Sequence, residues 1–340
     1  MSDRQYAGAG VDLRQLDSAK VRIARAVAGA RTALSVGAVG GFGGMLRIPA
    51  GMRSPILVMS TDGVGTKVLV ARMAGVWDTV GEDLVNHSVN DILVHGARGI
   101  GFQDYVGSNG LTEDQLAGLV EGVARGCRAH EMALTGGETA ALPDIYSPGD
   151  YDLAGTIVGV VEESSALHGD RIEAGDLLVA LESTGLHTNG YTLARKILFD
   201  RLQLDVGSMV SELGQTVGDA LLAVHRSYFH LLAPHLESVH GLAHITGGGI
   251  PGNLVRVLPP HLEAVVDSGS WEWPPLFRYL ARAGQVGIDE MREVFNLGVG
   301  MLAVVPPAPA GDLIARATRA GVTAWVAGEV RPGPHGVRFT

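Results

Sequence analysis

The sequence has little cysteine and no long apolar run, and each shortage excludes classes of protein. Cys127 is the only cysteine among 340 residues, so an internal disulfide, a thiolate zinc site and a CxxC redox pair are excluded. No apolar run approaches the roughly 18 residues that a membrane helix needs, and the first residues form no apolar signal core. We therefore expect a cytoplasmic protein that neither enters a membrane nor is exported.

Positive charge is also scarce. The formal net charge is −10, and no cluster of Lys or Arg offsets it. Such a field repels the phosphate backbone of nucleic acids and anionic lipid, so neither is an expected partner. The hydrophobic share of 46% is enough for real cores and for two domains. The 48 glycines follow no Gly-X-Y repeat and are expected in tight turns and ligand loops.

Hydrophobic periodicity predicts strands and helices in both halves of the chain, which is typical of an α/β (α+β) protein. Strands are predicted at 55–61, 132–134, 153–161, 177–181, 263–266, 301–305 and 324–330. Helices are predicted at 81–97, 112–130, 190–199 and 218–236, and the Pro-rich segment 306–310 is predicted as a connector. The charged stretch at 162–176 is the predicted boundary, which gives domains at 1–168 and 169–340.

The predicted strand at 55–61 ends in a glycine-rich loop, Asp62-Gly63-Val64-Gly65-Thr66-Lys67. Glycine amides can approach an anion, an aspartate at a strand end can hold Mg²⁺, and a lysine can neutralise phosphate oxygens. Lysine is rare here, with three against 23 arginines, and its compact ammonium fits among phosphates and metal. The P-loop pattern GxxxxGK[ST] is absent, and no GxGxxG follows a predicted strand. The loop favours phosphate binding, with a plain strand turn and surface salt bridge as the alternative.

Two further segments carry carboxylates suited to a metal ion. Asn90 and Asp91 share the polar face of the helix predicted at 81–97, where they suit an Mg²⁺ that bridges nucleotide phosphates, with a solvated helix face as the alternative. Glu138 follows Gly137 after a short predicted strand, which suits a metal ligand or general base, with a capping glutamate in a turn as the alternative.

Three more segments are candidates for ligand binding. His187 and Asn189 lie where a helix is predicted to start, so the imidazole could move a proton or orient an amide, although a lone histidine is more often structural. The glycines at 40–44 form either a linker or a loop that closes over a ligand. Residues 246–249, Thr-Gly-Gly-Gly, form either a plain turn or a phosphate site of consecutive amides.

Nine segments carry a family pattern between about residue 6 and residue 330. They are YAGAGVD (6–12), GGFGG (40–44), TDGVGTK (61–67), VNDIL with GA (89–93, 96–97), GGETA (136–140), YDLAGTIVGVVE (151–162), GLHTNGYTLARKIL (185–198), HITGGG (244–249) and FNLGVGM (295–301). In the residues and the order of these segments, the chain resembles the phosphoribosylformylglycinamidine cyclo-ligase (AIR synthetase) family of purine biosynthesis. The resemblance implies an N-terminal α/β domain that dimerises, a C-terminal α/β domain, and an active site in the cleft between them.

The resemblance also implies an activity and its residues. The reaction is ATP-dependent ring closure of formylglycinamidine ribonucleotide, a small-molecule substrate, to 5-aminoimidazole ribonucleotide, ADP and phosphate. Mg²⁺ would be held by Asp62, Asp91 and Glu138, and catalytic roles fall to His187, Asn189 and Lys67. Nucleotide binding would involve Gly40, Gly41, Gly43, Gly44, Asp62, Gly63, Gly65, Thr66, Lys67, Asn90, Gly137, Glu138, Gly247, Gly248 and Gly249. A homodimer is expected.

The chain departs from the family pattern at three places. Ala7 stands where the family commonly has lysine, Ala141 where it has glutamate, and His87 where the helix usually has an apolar residue. Two other functions stay open at this point: a phosphotransferase of the same superfamily, such as a thiamin-monophosphate kinase or selenophosphate synthetase, and a non-catalytic nucleotide-binding protein. The GLHTNGY segment argues against both named phosphotransferases, and ATP binding without turnover would identify the non-catalytic protein.

Overall fold

The computed structural model describes residues 13–37 and 43–340. The chain divides into two compact units, the first holding the described residues up to Ile92 together with Arg98–Glu162, and the second holding Leu93–Ala97 and Glu163–Thr340. The main division, at Glu163, lies inside the charged stretch predicted as a boundary and a few residues before the predicted start at 169. Within the described residues, no helix is both long and apolar enough to cross a membrane.

The first unit is a mixed sheet with helices against one face. Its elements in chain order are α1 (Leu13–Gly29), β1 (Ser35–Val36), β2 (Met45–Leu46), β3 (Pro55–Gly63), α2 (Lys67–Ala74), α3 (Asp78–Leu93), β4 (Arg98–Ser108), α4 (Glu113–Ala129), β5 (Ala133–Ala141) and β6 (Tyr151–Glu162). The main sheet has the order β3-β6-β4-β5. Its pairs are antiparallel except β4 with β5, which are parallel because α4 carries the chain across between them.

Helix α4 begins where the sequence predicts. The Thr112 side chain accepts a hydrogen bond from the Gln115 amide, and Gln115 Oε1 accepts one from the Thr112 amide, so the predicted capping box is confirmed. Helices α3 and α4 approach so closely that only glycine fits between them: a Cβ on Gly122 would lie 1.9 Å from the carbonyl oxygen of Asp78. This contact fixes α3, which carries several of the candidate site residues, against α4.

The second unit is built on a larger sheet that is buried on both faces. Its elements are β7 (Leu177–Glu182), α5 (Tyr191–Arg195), β8 (Met209–Val210), β9 (Gln215–Thr216), α6 (Val217–Leu222), α7 (Phe229–Leu232), β10 (Gly241–His244), α8 (Gly249–Leu254), β11 (Leu262–Val266), α9 (Pro275–Gly284), α10 (Ile288–Val294), β12 (Val299–Val305), α11 (Pro307–Arg319), β13 (Ala324–Pro332) and β14 (Gly336–Phe339). The sheet order is β10-β12-β7-β13-β11-β14. Alternate residues of β7 and β12 enter separate cores on the two faces, which explains why Val299–Val305 is one unbroken apolar run.

Three predictions for the second unit were wrong or incomplete. The helix predicted at 218–236 is broken, because Ala223 leaves the helical conformation (φ −49°, ψ 128°) and the chain turns inward to Tyr228, whose hydroxyl donates to the Glu182 carbonyl at 2.8 Å. The segment 306–310 is not a connector, since Pro307 opens α11, where a missing amide proton is tolerated. The helix predicted at 190–199 continues from α5 as a π-helical turn, Lys196–Arg201.

Candidate active site

At the end of β3 and in the loop after it, Asp62 stays accessible and Val64 is buried. Asp62 is 47% exposed, and its Oδ1 accepts from the Gly63 amide at 2.7 Å. The Val64 amide donates to the Leu153 carbonyl at 3.0 Å, and Gly65 has a positive φ of 66°. The amides of residues 63 and 64 therefore already have acceptors within the unit. Gly65 is exposed, and it is the glycine of this loop that lies nearest to the start of α2.

Lys67 does not point to solvent, contrary to its predicted role at ATP phosphates. Its Nζ lies 2.7 Å from Asp83 Oδ2 on α3, and both side chains are fully buried. Burial lowers the pKa of Lys67, and the charge and hydrogen bond of Asp83 act against that lowering. The ion pair ties the loop to α3, so the lysine supports the site from behind. Asp83 had no prediction of its own, although it lies one helical turn before His87 on the polar face of α3.

Asp62 and Asp91 come together on either side of His87. His87 Nε2 lies 2.9 Å from Asp62 Oδ2 and 3.3 Å from Asp91 Oδ2, and Ser60 Oγ donates to Asp91 at 3.4 Å. Burial works to lower the pKa of His87, but the hydrogen bonds and charges of the two aspartates raise it to about 10. Burial likewise works to raise the pKa of Asp62, yet His87 holds it below its usual value. Asp62, His87 and Asp91 are called the aspartate-histidine cluster below.

Glu138 does not join this cluster within one chain. Its strand, β5, is the edge opposite β3, and three strand spacings of about 4.8 Å put Glu138 about 14 Å from the Asp62 row. The register also places Glu138 opposite Tyr105, on the other face of the sheet from Asp62 and Asp104. The expectation that Asp62, Asp91 and Glu138 of one chain hold the same ion therefore needs correction, because sheet order separates them.

The remaining candidates of the first unit lie deeper or outside the described residues. Asn90 is fully buried on α3. Gly137 lies against the buried Asp104 of β4, since a Cβ there would come within 2.4 Å of Asp104 Oδ1. Burial raises the pKa of Asp104 to about 7. Of the predicted glycine loop, Gly40 and Gly41 lie outside the described residues, Gly43 is open, and Gly44 packs on Thr135.

In the second unit, His187 is a buried residue in a strained backbone conformation. It has φ of 61°, and its Nε2 accepts from the Thr184 amide at 3.1 Å, so the neutral ring carries its proton on Nδ1. Its ring stacks on His225 at 4.0 Å between centroids, and His225 Nε2 lies 3.1 Å from His244 Nε2. Sequence reasoning missed His225, because the helix predicted at 218–236 placed it on a regular helix.

The predicted segments around Asn189 and the glycines at 247–249 meet. A Cβ on Gly247 would lie 3.3 Å from Asn189 Oδ1. The turn is braced by Asn253, whose Nδ2 donates to the carbonyl oxygens of Gly247 at 3.2 Å and Gly249 at 2.8 Å. Gly248 and Gly249 both have positive φ, at 93° and 59°. Asn253 thus shapes this loop from inside, while the half-buried Asn189 stays accessible next to it.

Comparison with known proteins covers both units. Residues 44–161 match the family "AIR synthase related protein, N-terminal domain", and residues 173–339 match "AIR synthase related protein, C-terminal domain". A phosphoribosylformylglycinamidine cyclo-ligase of Sorangium cellulosum is 48% identical over 96% of this chain and 94% of the relative. A phosphoribosylformylglycinamidine cyclo-ligase of Desulfatibacillum aliphaticivorans is 43% identical, again over 96% of this chain and 94% of the relative.

Among solved structures, thiamine-monophosphate kinase of Stenotrophomonas maltophilia shares the fold, with a TM-score of 0.70 and 17% identity over 94% of this chain and 95% of that one. At this identity the likeness concerns the fold alone. It agrees with the predicted two-domain α/β architecture, which is confirmed. The identity to the cyclo-ligases is far higher and extends over both units, so the chain belongs to the phosphoribosylformylglycinamidine cyclo-ligase family.

Proposed function

We propose that this chain catalyses the ATP-dependent cyclisation of formylglycinamidine ribonucleotide to 5-aminoimidazole ribonucleotide, with ADP and phosphate as the other products. The observation that carries the proposal is the 48% identity to a cyclo-ligase across 96% of the chain, which includes both units and all candidate segments. The chemistry has a clear physical logic. An amide oxygen is a poor leaving group, and its phosphorylation gives an iminophosphate that an internal amidine nitrogen can displace.

The two carboxylates of the aspartate-histidine cluster, Asp62 and Asp91, form the proposed Mg²⁺ site. The donor set fits, because Asp62 and Asp91 direct carboxylate oxygens to one point and Asp62 remains half exposed to an incoming nucleotide. When bound, Mg²⁺ neutralises charge on the ATP phosphates during transfer. Gly65, Thr66 and the glycines at 43 and 44 are proposed to receive the phosphates. Lys67 is proposed to hold this loop in place through Asp83.

Asn189 is the proposed contact to the reacting formamide, and His187 is proposed to position it. Asn189 is the accessible polar side chain of its segment and lies beside the loop at 247–249, which is proposed to receive a phosphate of substrate or nucleotide. Asn189→Ala should lower kcat by about 10²-fold or more with little change in melting temperature. His187→Ala should lower both, because the ring holds the Thr184 amide. Normal turnover by Asn189→Ala would remove it from the proposed chemistry.

The open face of the first sheet supports a homodimer. Leu57 and Met59 on β3 are 51% and 64% exposed, and Glu138 belongs to the same face. A second copy seated there would bury these apolar side chains, and a metal role for Glu138 requires such a copy. Leu57→Asp with Met59→Asp should yield monomers in sedimentation velocity, while the control Ile288→Asp, at a residue 54% exposed in the second unit, should not. A monomeric wild-type protein would contradict this arrangement.

The cyclisation is tested with purified protein, formylglycinamidine ribonucleotide, ATP and Mg²⁺. Formation of 5-aminoimidazole ribonucleotide should require all four, and ADP should appear in equal amount. Asp91→Asn should lower kcat by about 10²-fold if the carboxylate acts through the metal. ATP binding without the imidazole product would instead indicate a non-catalytic nucleotide-binding protein. A cytoplasmic location is part of the proposal, and the buried free thiol of Cys127 is consistent with it.

A further inference from the structure

His87 occupies a position that the proposed chemistry does not yet use. It lies on α3 one turn before Asp91, and its ring reaches across to Asp62 on β3. Its imidazole is an addition to the two aspartates that the proposed function assigns to the metal. The side chain is only 5% exposed, which fixes its orientation before any ligand arrives.

We propose that His87 Nε2 is a third protein ligand of the divalent cation, next to Asp62 and Asp91, and that it shifts the preference of the site from Mg²⁺ toward Mn²⁺ or Co²⁺. The inference rests on the metal site of the proposed function and specifies its ligand set. Binding of the cation to Nε2 requires that the proton which Nε2 shares with the two carboxylates leaves to solvent. Cation and proton therefore compete for the same position between the two carboxylates.

The spacing of the three ligand atoms supports this assignment. In an octahedral site with bonds of about 2.1 Å, neighbouring ligand atoms lie about 3.0 Å apart. His87 Nε2 lies 2.9 Å and 3.3 Å from the two aspartate oxygens, and ligand atoms of all three residues lie within 4.8 Å of one another. His87 Nε2 can thus be the neighbour of both carboxylate oxygens in one octahedral shell, which leaves the other positions for phosphate oxygens and water.

The chemistry of the donors supports the change in preference. Mg²⁺ favours a shell made of oxygen, whereas Mn²⁺ and Co²⁺ accept imidazole nitrogen readily, and affinity for mixed nitrogen and oxygen sites rises from Mn²⁺ to Co²⁺. A site of two carboxylates alone suits Mg²⁺ and Mn²⁺ alike. One buried imidazole that is already held in place adds affinity mainly for the cations that form stronger bonds to nitrogen.

The test measures metal binding by nucleotide-free protein and therefore does not depend on turnover. Titration with Mn²⁺ alone, followed by electron paramagnetic resonance, gives its Kd, and electron spin echo spectra of the bound ion report coupling to ¹⁴N. Wild-type protein should show ¹⁴N coupling that His87→Met and His87→Gln both lose. Their Mn²⁺ affinity should fall about 10-fold or more, while Mg²⁺ affinity from calorimetry falls much less, because Mg²⁺ replaces the lost ligand with water.

The control is His335→Met, at an exposed histidine of the second unit, which should retain wild-type coupling and affinity. Absent ¹⁴N coupling in the wild-type protein, or coupling that persists in a folded His87 variant, would overturn the assignment. Asp91→Asn separates this failure from a failure of the metal site itself. If that variant binds Mn²⁺ and Mg²⁺ as well as the wild type does, the proposed metal site is wrong, and the role of His87 fails with it.

Discussion

The buried pair of Lys67 and Asp83 gives a prediction that distinguishes support of the loop from contact with ATP. The two charged atoms lie 2.7 Å apart, and neither side chain is exposed to solvent. Lys67→Met keeps an unbranched side chain, one atom shorter, and removes its charge, which leaves the Asp83 carboxylate buried without this ion pair. Loss of one partner of a buried pair costs about 3–5 kcal/mol. For a unit of this size that loss lowers Tm by roughly 6–20 °C.

The assay is urea unfolding followed by circular dichroism, with a second variant that removes both charges. Lys67→Met with Asp83→Leu replaces the pair by apolar groups, and it should regain most of the stability that the single change loses, because no buried charge remains. Lys196→Met is the matched control, since Lys196 is exposed on the π-helical turn of the second unit, and it should unfold at the wild-type urea concentration. The urea midpoint of Lys67→Met should therefore be the lowest of the three, that of the double variant higher, and that of Lys196→Met equal to the wild type.

Two results for Lys67→Met would contradict the role of Lys67 as a buried support of the loop. If Lys67→Met unfolds within about 1 kcal/mol of the wild type, the pair does not support the loop as a buried pair should. If the same variant also loses most of its affinity for ATP, Lys67 contacts the nucleotide, and the role expected from the sequence is correct.

Two further changes test the described packing. Asp104 has a pKa of about 7 in the folded chain against an ordinary 3.8, so the folded state binds the proton more tightly and stability should fall as pH rises from about 4 to about 7. Asp104→Asn should remove that fall, as measured by urea midpoints across this range, and an unchanged pH profile would contradict the burial argument. Gly249→Ala should lower Tm by several degrees, because the new Cβ would lie 1.8 Å from the carbonyl oxygen of Arg292. A wild-type Tm would show that the loop can move to accept the Cβ, contrary to this packing.

Local patterns in the sequence predicted the elements that depend on neighbours in the chain. The capping box at Thr112, the strand that leads into Asp62 and the apolar run of β12 are all set by residues within a few positions of one another. The same is true of the loop at 247–249, whose positive φ angles require glycine.

Features set by distant parts of the chain were not predictable in this way. The order β3-β6-β4-β5 separates Glu138 from Asp62, although both follow predicted strands and carry carboxylates. Lys67 turns inward because α3 offers Asp83, which no spacing within the loop reveals. The helix predicted at 218–236 fails for a similar reason, since the bond from Tyr228 to the Glu182 carbonyl draws the chain away from a regular helix.

The measurement that tests the central claim most directly follows the oxygen atom that leaves the substrate. Formylglycinamidine ribonucleotide is labelled with ¹⁸O in its formamide oxygen and converted by the protein with ATP and Mg²⁺, and the inorganic phosphate and nucleotide products are examined by mass spectrometry. The account predicts that each 5-aminoimidazole ribonucleotide formed is matched by one phosphate that carries one ¹⁸O, because the formamide oxygen is phosphorylated before the amidine nitrogen displaces it. Unlabelled phosphate, or ATP consumed without the imidazole product, would contradict it.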